Sequence, residues 1–181
     1  CRAFLADPVS DELISEILSI ASRAPSGTNI QPWKVLVVSG SSKQRLTAQL
    51  LKSFNAPKDA SAHSAPYRYY PKHWISPYID RRRKVGFDLY HLVGINKGDS
   101  QQMHEQHARN FKFFDAPVGL IFTIDQVMEQ GSWLDYGMFL QNIMLAAKVR
   151  GLDTCVQAAF IEFHRIIHDQ LNIPDSETVI C

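Results

Sequence analysis

The stretch from Trp133 to about Arg150 limits the fold more than any other part of this sequence. Its Leu134, Met138, Phe139, Ile143, Met144, Leu145, Ala146 and Ala147 occupy most of a helical circumference rather than one stripe. A helix that is apolar nearly all round has to be buried on nearly all sides. Ser132 is placed to cap it and Gly151 to close it. With 181 residues the chain is of single-domain size and can bury a sizeable core. Covering one helix on every side demands more, so the second covering layer is expected to come from another subunit.

The remaining elements read as an alternation of helix and strand. Ser10 is a candidate N-cap, followed by Asp11 and Glu12 in a first helical turn, where the dipole favours acids. Ile14, Ile17, Leu18 and Ala21 recur at i, i+3, i+4 and i+7, the pattern of an amphipathic helix that Pro25 ends. Trp33 to Val38 reads as a buried strand, Lys43 to Phe54 as a second helix, and Val118 to Ile124 as a second strand. Asp153 to Ala158 is expected to form a third short strand, with a helix around Glu162 to Leu171 after it. Glu177 to Cys181 reads as a strand just beginning, and Cys1 is not a natural start, so both ends are read as cut from a slightly longer chain. The segment from about 55 to 110 is less regular. It holds Pro57, Pro66, Pro71 and Pro77, many aromatics and the run Arg81-Arg82-Arg83-Lys84, and is read as a lid-like excursion from one domain spanning 1–181.

Composition removes several classes of function. Nineteen Lys and Arg against 18 Asp and Glu leave a net charge of +1, which argues against a protein built for nucleic acid. No run approaches the roughly 18 apolar residues of a membrane span, and no charged-apolar-small leader opens the chain. The three cysteines, Cys1, Cys155 and Cys181, form no CxxC, which fits a reducing, cytoplasmic setting without a zinc knuckle.

The most informative stretch runs from Arg23 to Trp33. It is a helix end, a tight turn and a strand entry, and such a turn presents backbone N–H groups with the side chains of Ser26, Thr28 and Asn29. Those groups suit the heteroatom edge of a planar ligand. They equally suit a connecting turn closed by an Asx hydrogen bond, and the residues alone do not choose between the two.

Ala24-Pro25-Ser26-Gly27-Thr28-Asn29-Ile30-Gln31-Pro32-Trp33 closely resembles the corresponding motif of the FMN-dependent nitroreductase family. Three other stretches agree in order and spacing. Arg2-Ala3-Phe4 with Pro8-Val9 is similar to the tail of the family's N-terminal Arg-Ser-x-Arg-x-Phe motif, Asp115-Ala116-Pro117-Val118 precedes its central strand, and Gly151 to Phe160 is similar to its second flavin-contacting loop. The resemblance implies an α+β nitroreductase-like fold with a mixed, mainly antiparallel central sheet flanked by helices. It also implies a domain-swapped type of homodimer holding one FMN per subunit at its interface. By the same resemblance Arg2 would contact the flavin ring or ribityl region. Pro25, Ser26, Gly27 and Asn29 would contact the ring or ribityl chain across the interface, and Val156, Gln157 and Ala158 would lie along the ring near N5. The Arg and Ser expected before Cys1, and a C-terminal Arg expected to hold the phosphate, are absent from this sequence.

The implied activity is ping-pong hydride transfer from NADH or NADPH, a transient co-substrate, through FMN to a small aromatic acceptor such as a nitroaromatic or quinone. The cofactor carries that chemistry, so no catalytic side chain is named. Same-fold alternatives are reductive dehalogenation and flavin fragmentation; a different class is a nucleic-acid-binding module using Arg68 to Tyr70 and Arg81 to Lys84. Tyr70, Trp74 and Tyr78 are candidates for stacking on a flat acceptor or for packing. Arg81 to Lys84 are candidates for a cationic rim toward an anionic substrate or for a solvated helix face. His104 with His107, and His164 with His168, have helical ligand spacing, but no third ligand stands beside them and no metal is expected. Cys155 sits in an apolar run where an inert buried cysteine is the ordinary case.

Overall fold

The computed structural model describes residues 1–56 and 63–181, so Pro57 lies outside the described residues. Helix α1 covers Asp11–Ala21, and the Ser10 hydroxyl caps it as expected by accepting the Leu13 N–H at 3.2 Å. Strand β1 covers Lys34–Ser39 and leads directly into α2, Gly40–Asn55. Strand β2, Val118–Asp125, pairs antiparallel with β1 from Lys34 opposite Thr123 to Ser39 opposite Val118. The short β3, Glu177–Val179, pairs antiparallel with the other edge of β2, so β2 is central.

Alternation along β2 explains the two-layer core. Successive side chains of a strand point to opposite faces. Phe122 and Ile124 pack with Ile17, Ala21, Tyr136, Phe139 and Ile143 beneath α1 and the long helix α5, Gln130–Val149. Ile121 packs with Val38, Leu46, Leu50, Phe163 and Ile167 on the other face, beneath α2 and α6, His164–Leu171. The result is a small antiparallel sheet between two helical layers, the α+β arrangement expected.

Three local expectations are corrected. Helix α5 starts at Gln130, so Ser132 is not its cap but lies buried in the first turn, where its hydroxyl donates to Met128 Sδ at 3.5 Å. The turn closed by Met128 N–H on Asp125 O lets the helix begin immediately, before the serine. Asp153 to Ala158 is a loop and not a strand, because β1 and β3 already occupy both edges of β2. The irregular segment contains two helices, α3 at Tyr78–Leu92 and α4 at Ser100–Ala108, neither of which has a fully buried residue. A helix without a buried face leaves no apolar period to read. Helix α5, as expected, is not covered on all sides within the chain: Leu134, Leu145 and Val149 are 72%, 56% and 84% exposed. With Met138 and the polar Gln141 between them, they lie along one outer face of the helix.

A polar cluster ties the sheet to α5. The Tyr136 hydroxyl lies 2.8 Å from Lys34 O and 2.9 Å from Thr123 O, and accepts the Lys34 N–H at 3.2 Å. Burial pushes its ionisation far above the usual range, so it stays a neutral bridge between β1 and β2. The Lys34 ammonium reaches Asp125 at 3.0 Å and Glu177 at 2.9 Å, and Thr123 Oγ1 donates to the second Glu177 oxygen at 2.5 Å.

Candidate functional site

The Pro25–Gln31 turn is held by its own atoms and by α5. After Ser26 a single 3₁₀ turn, Gly27–Asn29, brings Asn29 N–H to Ser26 O at 3.0 Å and Ile30 N–H to Gly27 O at 3.1 Å. Thr28, Asn29 and Gln31 all have left-handed backbone, with φ of 49°, 61° and 51°. Three such non-glycine residues within four positions persist only where surrounding contacts over-determine them. Here Ser26 Oγ accepts the Gln31 N–H at 3.0 Å, and Asn29 Oδ1 accepts from Gln31 Nε2 at 2.9 Å. The anchor is Asp135, a buried carboxylate on α5 that accepts the Gly27 N–H at 2.9 Å. The turn does connect α1 to β1, but it is closed by Gln31 on Ser26 and Asn29 rather than by an Asx hydrogen bond. It leaves the Ser26 hydroxyl proton and the Asn29 –NH₂ still available to donate.

A separate cleft of about 380 Å³ opens between the N-terminal segment, α1, β2, α5 and the 151–157 loop. Its walls include Ile17, Leu120, Phe122, Leu140, Ile143 and Met144, a surface suited to a flat apolar ring. The loop starts at Gly151, whose φ of +76° ends α5 in a conformation that favours glycine. Val156 and Gln157 line the cleft. Gln157 Oε1 is buried with no hydrogen-bond partner, a state that ordinarily calls for a ligand donor. Cys181 also lines the cleft, and burial pushes its thiol up to about 12, which excludes it as a thiolate nucleophile at neutral pH.

The structure therefore brings together only part of the expected set. Val156 and Gln157 share the cleft with the N-terminal segment, whereas Ala158 follows just beyond its wall. Arg2 is exposed, with its guanidinium 6.0 Å from the Phe114 ring centre, and the neighbouring Phe4 N–H donates to Phe114 O at 3.1 Å. Pro25, Ser26, Gly27 and Asn29 do not line this cleft. Asp135 was not anticipated, although it is the lone carboxylate of α5 and that singularity was visible in the sequence.

The other candidates have ordinary surroundings. Cys155 lies half-buried in the cleft loop, not in a strand. His104 pairs with Asn55 Oδ1 at 2.8 Å and stacks on Phe54 at 4.5 Å, and His107 meets the edge of that same ring. No group of three potential ligands is arranged for a metal ion among the described residues. His164 and His168 face each other edge to face at 5.9 Å. Burial, together with the positive charge of His168, Arg165 and His63, holds His164 below the usual histidine range, against a raising hydrogen bond from Ser64. A group whose folded pKa is depressed leaves the unfolded chain binding more protons. The stability it contributes is therefore complete above the ordinary value of 6.5 and is lost as pH falls from there through the folded value. Tm is expected to drop between pH 7.5 and pH 5.5, and a His164→Gln variant should show a shallower drop; parallel profiles would assign the effect elsewhere.

A family model described as the Nitroreductase family matches residues 1–181. The chain belongs to the nitroreductase family. It is 44% identical over 180 residues to a 4-nitrobenzoate reductase of Pseudomonas putida, covering 99% of this chain and 77% of that one. It is 41% identical over 179 residues to a nitrobenzene nitroreductase of Ectopseudomonas oleovorans, covering 99% and 78%. Among solved structures, an FMN- and NADPH-dependent nitroreductase from Sphigopyxis sp. strain HMH superposes with a TM-score of 0.94 at 32% identity, covering 99% of this chain and 79% of that chain. This nitroreductase chain thus shares both sequence and fold with its relatives over nearly its whole length. No helix among its described residues is long and apolar enough to cross a membrane.

Proposed function

We propose that this nitroreductase uses FMN to pass reducing equivalents from NADPH or NADH to small nitroaromatic acceptors. The observation that carries the reading is the family match over residues 1–181, joined by relatives named for reducing nitrobenzoate and nitrobenzene. The apolar cleft and the orphaned Gln157 oxygen fit a flavin ring with its polar edge. When bound, FMN supplies two-electron chemistry between a reduced nicotinamide and a nitro group.

The chain's own residues bind, orient and exclude water. Val156, Gln157 and Ala158 would hold the flavin from the 151–157 loop and its end, with the Gln157 amide oxygen free to accept a hydrogen bond from it. Arg2, at the same end of the chain as the cleft-lining Cys1 and Ala3, would contact the ring or ribityl region. Pro25, Ser26, Gly27 and Asn29 serve the site of a partner copy, which accounts for their absence from the cleft of their own chain. Asp135 is a positioning residue that holds Gly27 and therefore the whole turn. The homodimer is formed across the Leu134–Val149 stripe of α5, and the 55–110 excursion acts as a lid of this single domain. The free cysteines fit a cytoplasmic setting.

Purified protein should be yellow, with a flavin band at about 450 nm, and should oxidise NADPH or NADH only when a nitroarene is present. A colourless protein that takes up no added FMN would end this reading. Ser26→Ala combined with Asn29→Ala is expected to weaken FMN binding by about 0.5–1.5 kcal/mol for each donor lost. Fluorescence titration measures it, with Tm separating flavin contact from loss of the bonds to Gln31. Unchanged affinity would leave the turn a purely structural one.

A further inference from the structure

The residues just ahead of β2 form an uninterrupted run of left-handed backbone without a glycine. Phe113, Phe114 and Asp115 follow one another with φ of 57°, 50° and 71°. For a bulky side chain that region is a genuine outlier, and it persists only where neighbours over-determine it. The Ala116 N–H closes the turn on Phe113 O at 3.1 Å. At its end the Arg109 guanidinium donates to Asp115 Oδ2 at 2.9 Å, an ion pair six positions apart. Lys43, whose ammonium lies over the Phe113 ring at 5.4 Å, adds a second positive charge toward Asp115.

The strained turn faces the N-terminal segment. Phe114 O accepts the Phe4 N–H at 3.1 Å. The Phe114 ring is buried yet belongs to neither core cluster. Arg2 lies over that ring at 6.0 Å and Arg109 at 5.7 Å, so the arginine that pairs with Asp115 also covers the ring on which Arg2 rests. Residues 1–10 form no helix or strand, but Cys1, Ala3, Phe4 and Leu5 make one wall of the cleft assigned to the flavin. A chain segment without a ladder of its own keeps its place only where it is tied down.

We propose that Arg109 and Asp115 are positioning residues for the flavin: their ion pair locks the left-handed turn, and the turn ties down the N-terminal wall that carries Arg2. The inference rests on the nitroreductase reading, in which FMN fills this cleft. Neither residue lines the cleft, so both act through Phe114. Both side chains are partly exposed, so their replacement leaves the fold intact.

Glycine supplies the test, because it adopts a positive φ at no steric cost whereas alanine does not. Asp115→Ala and Arg109→Gln should each weaken FMN binding by roughly tenfold, measured by fluorescence titration. Asp115→Gly lacks the same carboxylate but keeps the turn, so it should regain most of the affinity, in wild type and in the Arg109→Gln background alike. Exchange of the Phe4 amide, followed by NMR on the flavin-free protein, reads the tie directly. It should be slow in wild type and in both glycine variants, and faster in Asp115→Ala and Arg109→Gln. Glycine that rescues no better than alanine overturns the proposal, since the carboxylate and not the backbone would then matter. A protein that binds FMN while its Phe4 amide is indifferent to every variant overturns the inference alone. A wild type that takes up no FMN overturns the nitroreductase reading and the flavin role with it, while Phe4 exchange still decides whether the ion pair locks the wall.

Discussion

Gly119→Ala is expected to be the most damaging single methyl group that can be added to this protein. Gly119 is buried at the second position of β2, opposite Val38. A Cβ there would stand 2.3 Å and 2.7 Å from two carbons of the Phe113 ring and 2.9 Å from Val38 Cγ2. None of these is the free end of a flexible side chain. Phe113 itself is held by left-handed backbone at three successive residues, Phe113, Phe114 and Asp115, with φ of 57°, 50° and 71°. Its ring also packs on Phe160 at 4.8 Å. Overpacking a rigid core site costs about 3 kcal/mol or more, which for a chain of this size lowers Tm by roughly 10 °C. The double variant with Phe113→Ala separates this cause from a loss of strand propensity. With the ring gone, the added methyl should cost little more than its contact with Val38. Additive penalties would mean that the ring is not what Gly119 accommodates.

The parts of the fold legible in the sequence were those with a core to pattern them. α1 and α2 each press apolar residues into one of two clusters and β1 and β2 into both, so their periods were readable. α3 and α4 bury nothing completely, so composition there showed only scattered aromatics and polar or charged residues. The 153–158 run failed for another reason. Its β-branched, apolar character belongs to a cleft wall, and propensity does not distinguish a wall from a strand. The site was legible as a motif but not as a geometry. Pro25 to Asn29 could be named from the sequence, yet the sequence did not show that Ser26 and Asn29 spend half their capacity on Gln31. Nor did it show that the turn hangs on Asp135, 108 positions further along the chain. That carboxylate carried a signal of its own, since a lone acid within a helix of apolar residues is buried only when something satisfies it.

If the proposed homodimer is formed across the outer face of α5, a charge placed there should separate it and release the flavin. Leu134, Leu145 and Val149 are exposed on a helix whose opposite face is packed under α1 and the sheet. Large apolar side chains exposed along one helix face are what a protein interface covers. In a two-fold homodimer one patch meets its own copy, so a single substitution acts twice. Leu145→Glu then buries two carboxylates without partners, and each such burial costs several kcal/mol unless the group takes up a proton. The dimer dissociation constant is expected to rise roughly 100-fold or more, since about 1.4 kcal/mol is worth a factor of ten. If the Pro25–Asn29 turn serves the partner's site, flavin must leave with the partner. The variant at micromolar concentration should therefore be colourless and of half the mass by light scattering. Its melting should also be lowered and dependent on protein concentration, because an obligate dimer couples stability to association. Leu145→Met keeps the apolar stripe and should stay dimeric and yellow. A Leu145→Glu protein that is still dimeric and still holds FMN would place the interface elsewhere. One that is monomeric but yellow would show that each chain completes its own flavin site, and the assignment of Ser26 and Asn29 to the partner's flavin would fall.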